Sequence, residues 1–434
     1  MSEDLLHKIN LKHRMRDPLY GFIWLTQEEL EIIDTPIFQR LRRISQLALT
    51  KYVYPSAEHS RFVHSLGVLQ CATNIFLELV RNSEDLNKRD DLDILLKKLR
   101  FAALLHDIGH LAYSHASEQT LLGDTLKHED VSKYIIQNYE PIKHVLLKCF
   151  NDATILNLIS SLVAGKVIKE YDLLKKIISG VFDADRADYL IRDSYICGVK
   201  YGQFDVERFI GSFIVKNGQY CIRYEHLNAV ELMVFARYQY NMQVPFHRTR
   251  QGYDIVLSKF IEKQKENIQT GIQKQKGEIV TIDYDTFVKF DDYYVFELIK
   301  KFAGEDNFAK ILMRDKAKLH PVFDYTCNAE NAYYKKLYEQ FIKGLISEGL
   351  EENVSFFKTV KNVKIYDLLK ISDEQNESDY KVLKDDKLID LFEMSPVLFG
   401  NTNANEMIIY RVYVDDNCIG TAKKVLQNVM NKTL

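Results

Sequence analysis

The chain has 434 residues, of which 46% are hydrophobic and 12% aromatic, so it can build a sizeable core and is not a disordered protein. A net charge of −3 argues against a strongly basic nucleic-acid binder. Its six cysteines are scattered without a CxxC pair, which excludes a thiolate zinc site and fits a reducing compartment. With neither a signal peptide nor a run of about 18 apolar residues, we expect a cytoplasmic protein that requires neither membrane nor nucleic acid.

The pattern over the first 250 residues predicts mostly helices. Thr26 and Glu29 match a capping box, and Thr35 followed by Pro36 predicts a second helix start ahead of IFQRLRRISQL. Apolar residues then recur at close to helical spacing over 66–80. A further apolar helix is predicted over ILLKKLRFAALLHD.

A hairpin interrupts these helices at FIVKNGQYCIRY. Its centre, Asn217-Gly218, is a strong two-residue turn signal between alternating stretches. Helical spacing resumes over HLNAVELMVFARYQYNM and ends before Pro245. The polar stretch KQKENIQTGIQKQKGE that follows is typical of an exposed helix or a connector.

The C-terminal part mixes strand and helix signals. EMIIYRVYV alternates like a strand, and TAKKVLQNVM follows as a short amphipathic helix. The highly polar residues 371–387 predict a mobile loop. We therefore predict a mainly α fold with two domains, a helical core over residues 1–250 and a smaller α+β lobe over 251–434.

The segment LLHDIGHLAYSHASE and the residues just after it concentrate the ionisable chemistry. Four of the twelve histidines fall within twenty-three residues: His106, His110, His115 and His128. Asp107 directly follows the first of them, and imidazole with carboxylate suits iron, manganese, zinc or magnesium. If the helix continues through Gly109, His110 shares a face with His106.

The alternative to a metal site is structural. A single buried histidine is more often a hydrogen-bonded core residue than a ligand. His106 and Asp107 are adjacent at the end of an apolar helix, however, and burying both without partners costs on the order of several kcal/mol. A metal ion is the simplest compensation, and an equivalent charge network is the other.

Four segments together resemble a known family. His64 in RFVHSLGV, His106-Asp107 in HDIGH and Asp185 in FDADRADYLIRD resemble the H…HD…D signature of HD-domain phosphohydrolases, here over about 59–195. These motifs, with IIDTPIFQRLRRISQL before them, follow the order and spacing of deoxynucleoside triphosphate (dNTP) triphosphohydrolases. The resemblance covers about Arg16 to Arg250 and implies an HD-domain helical core.

The resemblance also implies a metal centre. Its ligands would be His64, His106, Asp107 and Asp185. The family pattern selects Asp185 over Asp183, a choice that the residues alone leave open. The implied reaction is attack of activated water on the α-phosphorus of a dNTP, which gives a deoxynucleoside and inorganic triphosphate.

The implied proton donor to the 5′-oxygen is His115, since the pKa of imidazole lies near neutrality. Its expected acidic partner is Glu118, where the family pattern has aspartate. His110 and His128 match positions that contact the α-phosphate. Without the family, they read equally well as ordinary structural or surface histidines.

Further positions match substrate contacts in the family. Those implied to bind the polyphosphate are Arg61, Arg186 and Arg237, of which Arg186 replaces a lysine. Those implied to bind the sugar are Gln46 and Asp193 at the 3′-hydroxyl and Tyr189 against the ring. Taken singly, each arginine is more often a surface ion-pair residue, and Tyr189 a core tyrosine. Pro245 stands where a base-pocket tyrosine is expected, so base preference is not carried over.

The family also implies regulation by GTP or a dNTP bound between subunits of a homotetramer, with magnesium on the nucleotide phosphates. The positions matching the guanine contacts are Asp34, Gln39 and Arg42. A second nucleotide pocket matches at Arg208 and Arg223. Two expected lysines are replaced by His13 and Glu225, which puts the regulatory polyphosphate contacts in doubt. The alternative for DTPIFQRLRR is an N-capped helix with a solvated basic face.

Two other functions remain open at this stage. One is an HD phosphohydrolase that acts on nucleoside monophosphates or cyclic nucleotides, which the long motif matches disfavour. The other is a nucleotide-sensing or nucleic-acid-binding protein with a vestigial site. The four ligand positions and the proposed acid are all intact, which argues against a vestigial site.

Overall fold

The computed structural model describes residues 2–166, 168–315, 318–328, 331–364, 380–395, 398 and 406–433. Most of these residues are helical, as predicted. The α-helices are Ser2–Lys8, Gln27–Ile33, Pro36–Gln39, Arg61–Asn82, Glu84–Asn87, Leu92–Leu105, His115–Leu122, His128–Asn138, Glu140–Phe150, Ile155–Val163, Asp172–Ser179, Ala184–Cys197, Val206–Ile210, Leu227–Gln243, Arg248–Lys263, Tyr284–Lys289, Asp292–Phe302, Asn307–Leu312, Ala332–Ser347, Leu391–Met394 and Ile419–Thr433.

The strands form four small sheets. Two are antiparallel hairpins: His13–Asp17 with Gly21–Leu25, and Ile272–Gln275 with Glu278–Ile282. A four-stranded sheet has the order Lys387–Asp390, Lys381–Lys384, Gln219–Arg223, Phe213–Lys216. A three-stranded antiparallel sheet has the order Leu319–Asn328, Glu406–Asp415, Phe356–Lys364. The mainly α fold with a smaller strand-containing C-terminal region is thereby confirmed.

The predicted helix starts and hairpin turn are confirmed in detail. Thr26 and Glu29 form the reciprocal capping box of helix Gln27–Ile33. Thr35 caps the next helix with Pro36 at its first position, although a 3₁₀ turn replaces the α-helix after four residues. Asn217, with φ of 53°, lies in the left-handed region that the hairpin turn requires.

Two predictions about polar stretches were wrong in part. Within the predicted exposed helix or connector, residues from 272 onward enter a hairpin whose strands keep mostly exposed side chains. Of the predicted mobile loop 371–387, residues 371–379 lie outside the described residues. Strand Lys381–Lys384 lies in the rest of the stretch and pairs in parallel with Gln219–Arg223. The C-terminal region therefore adds strands to the sheet that starts at the central hairpin.

The geometry assumed for His110 also differs. Helix Leu92–Leu105 ends before the metal motif, and turns follow through Gly109. Gly109 is closely packed, because a Cβ atom there would lie 2.3 Å from the His128 carbonyl oxygen. His110 therefore does not share a helical face with His106.

Two apolar cores organise the chain. The larger runs from Leu5 to Leu398, and the smaller lies between the three-stranded sheet and the last two long helices. The predicted domain boundary at residue 250 falls inside helix Arg248–Lys263, so that division stays a prediction. By length and composition, helix Arg61–Asn82 could cross a membrane, but 72% of its apolar window is buried inside the protein.

Candidate metal centre and active site

Three helical elements bring the predicted ligands together. His64 lies in the first turn of helix Arg61–Asn82, His106 and Asp107 follow the end of helix Leu92–Leu105, and Asp185 lies in the first turn of helix Ala184–Cys197. The first and third helices pack closely at Gly67, where a Cβ atom would lie 2.0 Å from Oδ1 of Asp188. Glycine at this position is therefore needed for the approach.

The ligand atoms converge on one point. Nε2 of His64 lies 3.0 Å from Oδ1 of Asp185 and 3.8 Å from Oδ2 of Asp107. Nε2 of His106 lies 3.3 Å from Oδ1 of Asp107 and 4.0 Å from Oδ1 of Asp185. One atom from each of His64, His106 and Asp185 falls within a sphere suited to a metal ion. We call these three residues with Asp107 the metal group.

Both imidazoles are oriented as metal ligands require. Nδ1 of His64 lies 2.8 Å from Oδ2 of Asp188, and Nδ1 of His106 lies 2.8 Å from the Ala103 carbonyl oxygen. These contacts leave each Nε2 lone pair pointing into the group. Nε2 of His106 is buried and forms no hydrogen bond with any described residue. A divalent ion would satisfy this atom, so the donor set fits the metal.

The charges of the metal group also favour a cation. Burial lowers the pKa of His64, but hydrogen bonds with Asp185 and Asp188 outweigh it and raise that pKa to about 10. Burial raises the pKa of Asp107, but the guanidinium of Arg61 and the neighbouring imidazoles hold it well below its usual range. The carboxylates therefore stay ionised, and they attract a proton or a metal ion to the imidazole between them.

A second cluster of histidines lies beside the metal group. Nδ1 of His115 and Nδ1 of His128 each lie 3.0 Å from the same oxygen, Oε2 of Glu118. The His110 and His128 rings stack with centroids 3.7 Å apart, and Nε2 of His110 lies 3.2 Å from Oδ1 of Asp107. Burial raises the pKa of Glu118, but hydrogen bonds with the two histidines outweigh it and lower that pKa. Glu118, which stands where the family pattern has the shorter aspartate, is therefore long enough to contact both imidazoles.

The two histidines bonded to Glu118 differ in accessibility. The His115 side chain is 65% exposed, whereas that of His128 is 12% exposed. Since its Nδ1 faces Glu118, His115 can present Nε2 to a substrate. Both ring nitrogens of the buried His110 lack a hydrogen bond with the described residues, and burial with the positive charge of Arg61 keeps its pKa well below the usual value.

A strained turn leads into the helix that carries His115. Tyr113 and Ser114 have φ of 58° and 53°, a region that side-chain-bearing residues rarely adopt. Oδ1 of Asp292 accepts the Tyr113 N–H at 2.6 Å, and Oδ2 accepts the Ser45 N–H at 2.9 Å. Burial raises the pKa of Asp292 to about 6. The bond to Tyr113 ties this turn to helix Asp292–Phe302, and the bond to Ser45 fixes the residue whose carbonyl oxygen accepts from Oγ of Ser114.

The predicted polyphosphate arginines occupy different surroundings. Arg61 is buried, where it donates to Asp107 and to Oγ of Ser114. Arg186 donates to Asp183 and to the Gly180 carbonyl oxygen, and burial raises the pKa of Asp183 to about 7. Nε of Arg237 is buried without a hydrogen bond to any described residue. Asp183 therefore pairs with Arg186, while Asp185 joins the metal group.

The predicted sugar contacts are enclosed in this structure. Asp193 is 1% exposed, and its carboxylate accepts from Tyr240 and lies 2.6 Å from Nε2 of His59. The backbone N–H of Gln46 donates to the His59 carbonyl oxygen at 3.0 Å. Oε1 of Gln46 has no hydrogen-bond partner among the described residues. Tyr189 packs against Tyr240 with ring centroids 5.8 Å apart. The 3′-hydroxyl role of Asp193 requires displacement of one of its present partners.

The predicted regulatory positions fall into two sets. Gln39 donates to the Ile33 carbonyl oxygen beside Asp34, and Arg42 donates to Gln39. Arg208 donates to the Glu225 carbonyl oxygen, and Nε of Arg223 lies 3.9 Å from the Glu225 carboxylate. His13 faces Gln27 at 2.8 Å. No hydrogen bond or ion pair in the described part of the chain joins the two sets.

Comparison with family models matches residues 61–193 to the HD domain. The matched residues begin at Arg61 and end at Asp193, so they span the whole metal group. The chain carries an HD domain. Such domains are metal-dependent, and the arrangement of His64, His106 and Asp185 fits that property. These residues therefore form a candidate metal site within the HD domain.

The chain is similar to several known proteins. An uncharacterized protein of the archaeon Methanocaldococcus jannaschii is 35% identical over 66% of this chain and 57% of its own length. The mouse deoxynucleoside triphosphate triphosphohydrolase SAMHD1 is 26% identical over 71% of this chain and 53% of its own length. A solved structure of a hypothetical protein from Aquifex aeolicus superposes with a TM-score of 0.77 at 27% identity, covering 95% of this chain and 99% of that one. The chain thus spans little more than half of these two curated relatives.

Two residues that position parts of this site were not predicted from the sequence. Asp188, which orients His64, lies three residues after Asp185 in the same motif, so helical spacing offered a signal for it. Asp292 had no such signal, because 179 residues separate it from Tyr113. Its sequence context indicates a helix start and nothing more.

Proposed function

We propose that this protein is a metal-dependent dNTP triphosphohydrolase. The observation that carries the proposal is the adjacency of the metal group and the pair formed by His115 and Glu118. This hydrolysis has two requirements. One is a metal site that binds the phosphate, and the other is a group that protonates the leaving oxygen. The names of the mouse, cattle and Dictyostelium relatives, all dNTP triphosphohydrolases, support the substrate class.

His64, His106, Asp107 and Asp185 would hold the divalent ion, which is iron, manganese, zinc or magnesium. When bound, such an ion lowers the pKa of water and withdraws charge from a phosphoryl oxygen. Asp188 and the Ala103 carbonyl oxygen keep the two imidazoles turned toward it.

His115 is the proposed general acid. Water attacks the α-phosphorus, the bond from phosphorus to the 5′-oxygen breaks, and Nε2 of His115 delivers a proton to that oxygen. Glu118 stabilises the protonated imidazole through Nδ1 and fixes the ring. His110 and His128 supply further N–H donors for the α-phosphate, and the unpartnered nitrogens of His110 suit that role.

The remaining assignments bind and select the substrate. Arg61, Arg186 and Arg237 would neutralise the polyphosphate, since arginine offers several donors in a fixed plane. The sugar contacts would be Gln46, Asp193 and Tyr189, with Asp193 exchanging Tyr240 or His59 for the 3′-hydroxyl. Magnesium would accompany the nucleotide phosphates.

We extend the proposal to regulation and assembly. Asp34, Gln39 and Arg42 would bind guanine, because a carboxylate accepts from its N1–H and amino group while arginine donates to O6 and N7. Arg208 and Arg223 would contact a second nucleotide across the interface of a homotetramer. A cytoplasmic location belongs to the same proposal.

Product analysis tests the proposal. Each dNTP is incubated with the chain and Mn²⁺ or Mg²⁺, with and without GTP, and the products are separated by chromatography. A deoxynucleoside with inorganic triphosphate is expected. Orthophosphate, pyrophosphate or cleavage of monophosphates would favour another HD phosphohydrolase activity. Tight nucleotide binding with negligible turnover would favour a nucleotide sensor.

A further inference from the structure

A cavity opens directly beside the metal group. Its volume is about 440 Å³, within the range of about 300–1,000 Å³ that small-molecule sites occupy. His106, Asp107 and Asp185 lie on its wall, whereas Tyr189, Asp193 and Arg237 do not. The cavity is therefore bordered by the metal group and by a wall to which the proposed sugar contacts Tyr189 and Asp193 do not contribute.

The far wall of this cavity carries cations that no family motif includes. Four lysines line it: Lys127, Lys166, Lys175 and Lys176. Lys176 lies 3.2 Å from Asp172, and the fifth cation of the cavity, Arg186, is paired with Asp183. Within the described ranges, Lys127, Lys166 and Lys175 form no ion pair with an acidic side chain. Their charge is available to a ligand.

The remainder of the wall offers few aromatic rings on which a nucleobase could stack. Its apolar members, including Val163, Ala164 and Ile178, are aliphatic, and among its described residues Tyr380 is the one Phe, Tyr or Trp. The wall also carries carboxylates, including Glu129 and Asp130, which repel phosphate. A phosphate chain in the cavity would therefore lie against the lysines. Lysine ammonium groups on flexible stems suit a chain of phosphates whose position changes as it leaves.

We propose that Lys166 and Lys175 form a subsite for the distal phosphates of the substrate and for the triphosphate product, reached from the metal through this cavity. The proposal rests on the proposed function and deepens it. It assigns the leaving polyphosphate to the lysine wall, and it gives the chain two phosphate-binding residues beyond Arg61, Arg186 and Arg237. The ligand class is an inorganic or nucleotide-linked chain of at least two phosphates.

The test is binding of inorganic triphosphate and of orthophosphate, measured by calorimetry in excess Mg²⁺. The variant Lys166→Gln/Lys175→Gln removes two charges from the wall. The matched control, Lys335→Gln/Lys336→Gln, removes two exposed lysines from helix Ala332–Ser347 on the smaller core. We expect the first variant to weaken triphosphate binding by about tenfold or more, because a hydrogen bond to a charged group is lost at each lysine. The control should bind as wild type does.

Three outcomes overturn the proposal: no triphosphate binding by the wild type, unchanged triphosphate affinity in the variant, or an equal loss for orthophosphate. Circular dichroism melting curves of both variants establish that each is folded. The binding assay needs no turnover. If hydrolysis yields no triphosphate while the lysine variant still loses triphosphate affinity, the proposed function fails and the subsite stands.

Discussion

One chain assembles the metal group, the metal side, more completely than the proposed regulatory side, which comprises Asp34, Gln39, Arg42, Arg208 and Arg223. Around the metal group, ligands from three helices meet, and each imidazole already has a partner that orients it. On the proposed regulatory side, Arg42 and Arg208 are exposed. The Arg42 side chain donates to Gln39 and lies over the Phe62 ring, and the Arg208 side chain donates to the Glu225 carbonyl oxygen. A site completed by a partner subunit, as the regulatory proposal requires, is expected to look like this in a single chain.

The comparison also separates two kinds of interaction. Buried charges at the metal side depend on one another, so removing one leaves others without compensation. Exposed side chains at the regulatory side contribute little to the folded chain and would gain energy only from a ligand or a partner. Substitutions on the two sides should therefore differ in magnitude and in what they change.

The largest effect is expected from Asp185→Ala. It removes the carboxylate that lies 3.0 Å from His64, so metal content and turnover should both be lost. Mass spectrometry of the metal in purified protein measures this. The matched control is Asp183→Asn, two residues earlier, which keeps a side-chain oxygen to cap the helix. Full metal content in Asp185→Ala, or loss of metal in Asp183→Asn, would indicate that Asp183 and not Asp185 is the ligand.

His115→Ala should come next. The variant should retain metal and dNTP binding but lose about 100- to 10,000-fold in kcat, the usual contribution of a general acid. Steady-state kinetics with a metal assay on the same sample separates the two effects. His144→Ala, on helix Glu140–Phe150 outside the site, is the control. Wild-type kcat in His115→Ala would remove this residue as the acid.

A smaller effect is expected from Asp292→Ala, because Asp292 is a positioning residue. It holds the strained turn at Tyr113 and Ser114, and loss of its two hydrogen bonds should displace His115. We expect kcat to fall by about 10- to 100-fold with KM little changed. Asp292→Asn, which keeps one acceptor oxygen, should recover part of that loss. Equal kinetics for the alanine and asparagine variants would contradict a positioning role.

The smallest effect concerns the regulatory side. If GTP binds there, it should raise the dNTPase rate by at least about fivefold, and Arg42→Ala should abolish that response while leaving the basal rate unchanged. Arg81→Ala, an exposed arginine near the end of helix Arg61–Asn82, serves as the control. A rate that does not change with GTP in the wild type would contradict the regulatory proposal.

The sequence could predict the residues that stand in motifs better than the features that depend on where elements end. His64, His106, Asp107 and Asp185 stand in ordered motifs, and the helices that carry them have strong apolar periodicity. The relation of His110 to His106 could not be predicted, because it depends on where helix Leu92–Leu105 ends. The hairpin from Ile272 was missed because its first strand, Ile272–Gln275, is polar and mostly exposed and lacks the alternation that marks a strand.

Contacts distant in the chain were also beyond prediction. Asp292 reaches Tyr113 across 179 residues, and Lys166 and Lys175 join the metal cavity only through the packing of separate helices. No local pattern carries such information, since a solvated lysine and a site lysine have the same sequence neighbours. The motifs could therefore predict the proposed ligand positions, and they carried a signal for Asp188, but they could not predict the contacts of Asp292 or the lysines of the cavity.

The central claim is cleavage at the α-phosphorus by the metal group with His115. Its most direct test is hydrolysis of dGTP and the other dNTPs in ¹⁸O-labelled water with Mn²⁺, followed by mass spectrometry of both products. Inorganic triphosphate carrying one ¹⁸O, with an unlabelled deoxynucleoside, is the predicted result. Release of orthophosphate or pyrophosphate, or ¹⁸O in the deoxynucleoside, would contradict the claim.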